Sequence, residues 1–456
     1  MKLSTLLINP PNDTAPEETQ DSPLGLSYIA SVLIEREHNV YGIDFNFEKD
    51  GFEKIKWFFN RERIDIVFLT SVSSNYKYVK KISECIRRIS HDVLIIYGGI
   101  HATFDQSDIL LKNKNINLIV YGEGELTIEE IINTYPNSFD NIEGIAYRKN
   151  GEIIINPARK LISNIDDIPL PAREIFAQRN FSQIHILTSR GCPFNCIFCN
   201  STKMWGNRIR YRSINCVVKE IKKIQNTYGK IKIFIADDSF LLDKNRVYEF
   251  CTEIEKNKLD FNWACLSRVD SISEELLKRM KECGCKEISY GCESGSNKIL
   301  YIADKKISTE NITNAIKITK KVGISCRTSW IIGLPGETEE TLYETAKLII
   351  ETKPNSVTLY FAIPYSGTDL QMRMNQLNMT LLTDDINEYY SGNQEPVIIP
   401  NDFDLIKLRL ILNGIIENLK NNGYKIKENN NDLINSDFVL STNFISSSMH
   451  RMNSPT

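Results

Sequence analysis

Short apolar runs rich in β-branched residues alternate with stretches of helical period along the first third of the chain. The runs are Leu3 to Asn9, Val40 to Asp44, Ile64 to Ser71, Val93 to Gly98 and Ile116 to Gly122, with helical patterns at Leu24 to Arg36 and Tyr76 to Ser90. Strand, helix, strand at this rhythm predicts a parallel sheet with helices on both faces. In such sheets ligands sit beyond the carboxyl ends of the strands. The residues there are Asn9-Pro10-Pro11, Ser71-Val72-Ser73-Ser74, Gly98-Gly99-Ile100-His101 and Gly122-Glu123-Gly124-Glu125. Asn9, Ser73, Gly98, Gly99, His101, Gly122 and Glu123 are therefore candidate ligand-facing positions, the alternative being plain tight turns. No G-x-G-x-x-G follows the first strand, so the dinucleotide fingerprint is absent.

Asn150-Gly151 predicts a β-hairpin and Ile168-Pro169-Leu170-Pro171 a connector, which places a domain boundary between 140 and 180. A second alternation then repeats six times, with strands at Ile186 to Ser189, Lys232 to Ala236, Phe261 to Leu266, Glu287 to Gly291, Ser325 to Ile332 and Ser356 to Ile363. Amphipathic helices such as Glu274 to Cys283 and Glu339 to Glu351 lie between them. Six units fall short of the eight that close a full barrel, so a partial (β/α)6 barrel open on one side is expected. The expected fold class is thus α/β: a Rossmann-like parallel-sheet domain (1–145), a linker (146–183), a partial barrel (184–375) and a mostly helical C-terminal segment (376–456). Within the last, a helix is expected near Asp404 to Asn421, and the Asn/Lys-rich stretch Lys420 to Asn435 reads as mobile or appended.

The length of 456 residues fits two or three domains at roughly 150 residues each. Lys and Arg number 55 against 58 Asp and Glu, a net charge of -3, so no overall basic field points to nucleic acid or an anionic membrane. The Lys-rich Lys420 to Lys427 is only a local exception, and a nucleic-acid substrate is disfavoured. No apolar run reaches the roughly 18 residues of a membrane span. The N-terminal apolar stretch is too short for a signal-peptide core, which predicts a cytoplasmic protein with reduced cysteines. Eleven cysteines are an odd number, so thiol, metal or catalytic roles are the ones to look for.

The sharpest feature is Arg190-Gly191-Cys192-Pro193-Phe194-Asn195-Cys196-Ile197-Phe198-Cys199-Asn200, directly after the first strand of the second alternation. Three cysteines at this spacing suit one cubane cluster, each thiolate on a separate iron, with one iron left open for chemistry. Phe198 is placed to shield such a cluster. The alternatives are a structural zinc site, which wants four protein ligands, or three buried thiols by chance. Cys216, the nearest further cysteine, falls in a helical pattern. Asp237-Asp238-Ser239, Glu293 and Gly333 to Thr338 follow later strands, with helix capping by Ser239, Asp243 or Thr338 as the plain reading. Arg268 and Arg327 lie at strand ends as candidate anion partners or structural ion pairs, whereas Trp263 and Trp330 read as core.

The loop Cys-x3-Cys-x2-Cys resembles that of the radical S-adenosylmethionine (SAM) superfamily. Further matching stretches are Arg210-Tyr211-Arg212-Ser213, Ala236-Asp237-Asp238-Ser239-Phe240, Trp263 to Asp270, Gly291-Cys292-Glu293-Ser294-Gly295, Gly333-Leu334-Pro335-Gly336-Glu337-Thr338 and Pro364-Tyr365-Ser366-Gly367-Thr368. The preceding domain resembles the cobalamin-binding module found before this barrel in one large subfamily, with Gly98-Gly99-Ile100-His101-Ala102-Thr103 its most telling match. The resemblance implies that Cys192, Cys196 and Cys199 hold a 4Fe-4S cluster whose open iron chelates SAM, and that reductive cleavage of SAM gives a 5'-deoxyadenosyl radical. It further implies that Asp237, Asp238, Ser239, Glu293, Arg327 and Gly333 contact SAM, and that Asn9, Ser73, Gly98, Gly99, His101, Gly122 and Glu123 lie at cobalamin. No Asp-x-His-x-x-Gly loop that would give cobalt a histidine is present.

The function the resemblance implies is cobalamin-dependent methylation of an unactivated carbon in a secondary metabolite or peptide. An electron donor such as flavodoxin or ferredoxin would serve it. The alternative keeps both cofactors but performs another radical step, such as ring contraction, cyclisation or dehydration. A sensor or interaction role for the first domain is a further possibility. A methylthiotransferase is disfavoured, because that family's N-terminal domain has its own cysteine trio and the first 180 residues here hold only Cys85.

Overall fold

The computed structural model describes residues 2–12, 22–176, 181, 183–390, 395–426 and 439–441. Its contacts divide the chain into two compact units, one of Met1–His185 with Lys203–Ser213, the other of Ile186–Thr202 with Ile214–Thr456.

The first unit is built on seven strands: β1 (Ser4–Asn9), β2 (Asn39–Asp44), β3 (Ile66–Thr70), β4 (Leu94–Gly98), β5 (Leu118–Val120), β6 (Ile145–Lys149) and β7 (Glu152–Ile155). Their order in space is β2-β1-β3-β4-β5-β6-β7. The first five run parallel, as the apolar runs predict, and β6 and β7 close the sheet antiparallel. Four consecutive buried residues in β1 reflect a strand covered on both faces. Helix Tyr76–Ile89 buries Tyr76, Val79, Ile82, Ser83 and Ile86, the spacing of one helical face.

The hairpin turns at Asn150 and Gly151, both at positive φ, as a two-residue turn matching the twist of its strands requires. Because β6 pairs with β5 residue by residue, Leu118 opposite Tyr147, the start of the segment read as a linker completes the sheet instead. Ile162, Ile165 and Ile168 then pack on Tyr28. From β1 the sheet grows to β2 on one side and to β3 on the other, which makes the ends of β1 and β3 the switch point where open α/β sheets bind ligands. There Asn75 Nδ2 donates to the Pro11 carbonyl at 3.2 Å, tying the two loops together.

In the second unit the strands Lys232–Ile235, Trp263–Ser267, Cys285–Glu293, Ser325–Ile332 and Ser356–Phe361 lie side by side and parallel. The strand that ends in Ile186 precedes them at one edge, and Val439–Ser441 and Lys425–Ile426 extend the other. The sheet is an open arc of parallel strands with helices between them, the expected partial barrel. Its first strand ends at Ile186 rather than Ser189, because the amides of Thr188 and Ser189 donate to a side chain, Asp237. Ser325–Ile332 and Ser356–Phe361 alternate buried and half-buried residues, so one face packs and the other, with Arg327, Ser329, Thr358 and Tyr360, is more open. Helix Thr309–Val322 starts in a Ser308/Asn311 capping box and stops at left-handed Gly323.

In the C-terminal segment an antiparallel pair, Met379–Leu381 with Ile398–Pro400, precedes helix Leu405–Asn421. The stretch read as mobile lies from residue 427 to 435 outside the described residues. Among the described residues no helix is long and apolar enough to cross a membrane.

Candidate active site

The cysteine loop is fixed at its apolar residues. Ile197 is buried with Ile299, Ala303, Leu334, Ile363 and Leu370, and Phe198 packs against this cluster. The Ile197 amide donates to the Ala303 carbonyl at 3.1 Å and its carbonyl accepts from the Leu370 amide at 2.7 Å. The Cys199 amide closes a tight turn on the Cys196 carbonyl at 3.0 Å, and the Ser201 amide points at Cys199 Sγ at 3.5 Å. Burial pushes the Cys196 thiol up to about 11, opposed by the charges of Lys305 and Arg268. It also raises Cys192, where Asp238 and Cys199 act in the same direction.

None of the three loop cysteines is in a disulfide. Among the described residues no three Cys, His, Asp or Glu side chains converge as ligands of a single ion. A structural zinc would need four. A cubane cluster takes each thiolate on a different iron, and three free thiols on one loop with cations beside it suit that group.

The residues expected at SAM divide. Asp237 is spent: its fully buried carboxylate accepts from the Thr188 amide at 2.6 Å, Thr188 Oγ1 at 2.6 Å, the Ser189 amide at 3.1 Å and Ser189 Oγ at 2.7 Å. It locks the ends of two adjacent strands together, and an ammonium partner must be found elsewhere. Asp238 is exposed, accepts from Ser201 Oγ at 2.7 Å and lies close enough to bear on Cys192. Ser239 is buried with its Oγ lacking any partner, and Asp243, not Ser239, caps the next helix by accepting from the Arg246 amide. Thr338 caps the later helix, as the plain reading has it.

Glu293 sits at φ 64 at the end of its strand and pairs with the Lys305 ammonium at 2.7 Å, both side chains buried. A Cβ on Gly291 would stand 2.4 Å from Glu293 Oε1, so a larger residue there would push the Glu293 carboxylate from its place. Arg268 forms a two-pronged pair with Asp270, at 3.0 and 2.9 Å, the structural ion pair among its two readings. Arg327 lies 3.7 Å from Glu287 and keeps a buried Nε without a partner. Trp263 and Trp330 are fully buried core residues.

Gly333, at φ 85, donates its amide to Glu337. Two site residues were not read from the sequence. Lys305 follows no strand and carries no motif, and Glu337 stands within a glycine turn motif with nothing to mark its carboxyl as buried. That carboxyl is pushed up to about 8 by burial, and its Oε1 has no partner.

In the first unit, Asn9 Nδ2 donates to Asp44 Oδ1 at 3.0 Å, while the buried Asp44 Oδ2 has no partner. Ser73 is buried in the turn Ser73–Asn75. Gly99 is at φ 97 with Thr70 Oγ1 2.5 Å from where a Cβ would stand, so only glycine fits. Gly98 meets only an ordinary contact at 3.5 Å, and Gly122, at φ 74, faces open space. His101 is buried, its Nδ1 2.8 Å from Tyr97 Oη and its Nε2 3.6 Å from Asp105. Burial lowers it to about 4, so it is a neutral ring. Glu123 is committed within the protein: it binds Arg210 at 2.9 and 2.8 Å and accepts from the Ile162 amide at 2.7 Å. It is therefore an internal anchor, because a carboxylate so occupied has little left for a ligand.

Comparison with known proteins agrees with this division. Residues 186–349 match the profile of the Radical SAM superfamily and residues 18–132 that of the B12 binding domain. An uncharacterized methyltransferase of Pyrococcus horikoshii is 33% identical over 378 residues, which cover 81% of this chain and 82% of that protein. An anaerobic magnesium-protoporphyrin IX monomethyl ester cyclase of Rubrivivax gelatinosus is 28% identical, over 67% of this chain and 58% of its own. The solved structure of the radical SAM methyltransferase TsrM from Kitasatospora setae, with cobalamin and a 4Fe-4S cluster bound, superposes with a TM-score of 0.72 at 17% identity, over 84% of this chain and 81% of that one.

Proposed function

We propose, from the premise that this chain belongs to the radical SAM superfamily and carries a B12 binding domain, that it is a cobalamin-dependent radical SAM methyltransferase acting on an unactivated carbon. The observation that carries this reading is the cysteine loop Cys192 to Cys199, which follows the barrel's first strand, is held at Ile197 by Ala303 and Leu370, and keeps its three thiols free of disulfides. The methyltransferase relative spans most of both chains.

With their groups bound, the two units supply a 5'-deoxyadenosyl radical and a carried methyl group. The chain's own residues do the rest. Phe194, Ile197 and Phe198 wall the loop with apolar surface that keeps water from reactive species. Asp238, beside Cys192, offers a carboxylate to the SAM ammonium, since Asp237 is occupied. The buried Ser239 hydroxyl and Glu337 Oε1 await polar partners. On the open strand face, Arg327, Ser329, Thr358 and Tyr360 offer polar contacts to a small metabolite or peptide. At the carboxyl ends of the first unit's parallel strands, Asn9, Ser73, Gly98, Gly99 and Gly122 provide hydrogen-bonding groups and close backbone approach for a corrinoid. A low-potential cytoplasmic electron carrier of the flavodoxin or ferredoxin type would reduce the cluster.

The test is anaerobic reconstitution with iron, sulfide and cobalamin, followed by SAM and reductant. Both 5'-deoxyadenosine and a methylated corrinoid are expected. Deoxyadenosine without corrinoid methylation would instead favour a non-methylating radical step, the reading that the cyclase relative supports.

A further inference from the structure

We propose that Lys305 and Arg268 are a pair of positioning cations that set the charge at the cysteine loop, favouring the reduced state of the cluster it would hold. The inference rests on the reading of the loop as a 4Fe-4S site and goes beyond it by naming what tunes that site.

The two cations reach the loop from different elements. Arg268 follows the strand Trp263–Ser267, and its guanidinium carbon lies 3.5 Å from the centroid of Phe194, between Cys192 and Cys196. Lys305 follows helix Asn297–Ile302, and its ammonium lies 5.9 Å from the centroid of Phe198, between Cys196 and Cys199. Each ring is thus faced by one cation, an arrangement favoured by the ring quadrupole. Arg268 donates to the carbonyls of Lys305 at 2.9 Å and Lys306 at 3.3 Å, so one group fixes the backbone that carries the other. Ala303, two residues before Lys305, holds the loop's Ile197 amide.

Both cations are buried, which is unfavourable unless a partner offsets it. Asp270 and Glu293 are those partners. A chain needing only a packed core would place apolar residues here, since buried ion pairs are weak stabilisers. The cations, not their carboxylate partners, are the groups that face the two loop rings set between the cysteines, Arg268 at Phe194 and Lys305 at Phe198. Cations beside thiols favour the thiolate. Cluster charge and surroundings set reduction potentials, and adding an electron beside a fixed positive charge is favoured.

The experiment is an anaerobic redox titration of the reconstituted full chain without SAM, followed by electron paramagnetic resonance with dithionite as reductant, with iron content measured in parallel. Lys305→Met is expected to load iron but to show about a tenfold lower ratio of reduced to oxidised cluster at fixed poise, which is about 59 mV for a one-electron couple. Glu293→Gln is expected to shift the midpoint the opposite way, and Lys305→Arg to restore it. Should Lys305→Met fail to fold, the double variant Lys305→Met/Glu293→Gln leaves no unpaired buried charge, and its midpoint is expected below that of the wild type. An unmoved midpoint in an iron-loaded variant overturns the proposal, as does weakened SAM affinity with an unmoved midpoint, which would make Lys305 a SAM ligand. Wild-type protein that takes up no iron would overturn the reading of the loop itself.

Discussion

The amide of Gly333 donates to one carboxylate oxygen of Glu337 while the other oxygen, equally buried, meets no partner. The carboxyl is pushed up to about 8 against 4.5 for an ordinary glutamate, chiefly by burial. Between those values the unfolded chain has lost a proton that the folded chain keeps, so stability falls as pH rises through this window and levels off above it. The slope is at most about 1.4 kcal/mol per pH unit. Glu337→Gln removes that slope, and thermal unfolding of the cofactor-free protein at several pH values measures it. Equal slopes in both proteins would show Glu337 ionised in the fold.

Gly99 and Gly122 both stand at positive φ, but only Gly99 is crowded, with Thr70 Oγ1 2.5 Å from a Cβ. Gly99→Ala is expected to cost more than about 1–3 kcal/mol, the usual strain of such a backbone, and Gly122→Ala no more than that range. Urea unfolding of the two variants gives the comparison. An equal loss in both would mean that crowding at Thr70 relaxes freely.

Glu123 anchors Arg210 at 2.8 Å, which leaves little of its carboxylate for a cofactor. Glu123→Gln leaves a buried guanidinium uncompensated and is expected to cost about 3–5 kcal/mol, much of it recovered in the Glu123→Gln/Arg210→Met double variant. The double variant is expected to keep its affinity for cobalamin, measured by fluorescence quenching at a temperature where it is folded. Lost affinity in a folded double variant would return Glu123 to the cofactor.

Cys251 and Cys283 bring their sulfurs to 2.6 Å within the core. The contact with the Cys283 sulfur, together with burial, raises the Cys251 thiol well above its ordinary value. Diamide, a dithiol oxidant that accepts two hydrogens, is expected to join them as a disulfide, visible as one linked peptide pair by mass spectrometry without reduction. Linkage of either cysteine to Cys265 or Cys285 instead would contradict the pairing.

The alternation of apolar runs and helical stretches carried most of this architecture, because parallel strands covered on both faces must be nearly continuous in apolar residues. Helix Gly51–Arg61 escaped that reading: only Gly51, Ile55 and Phe58 are buried, and its exposed aromatic Trp57 blurs the helical period. The cysteine loop was legible because its ligand types and spacing are local. What surrounds it was less so. Asp237 reads as an open carboxylate until the fold places Thr188 and Ser189 against it, forty-nine and forty-eight residues away in the chain. Lys305 and Glu293 meet across a helix, and nothing in their separation of twelve residues announces an ion pair. Spacing reports motifs, whereas the partners that occupy or orphan a buried side chain exist only after folding.

The three thiols of the loop carry the proposed chemistry most directly. Wild-type protein and Cys196→Ala should be reconstituted anaerobically with iron and sulfide, and their iron content, visible cluster absorbance and 5'-deoxyadenosine release from SAM compared. The wild type is expected to bind about four irons and cleave SAM, and the variant to lose both properties while keeping its fold by circular dichroism. A variant that still holds the cluster and releases deoxyadenosine would contradict the assignment of the loop, and with it the function proposed for this chain.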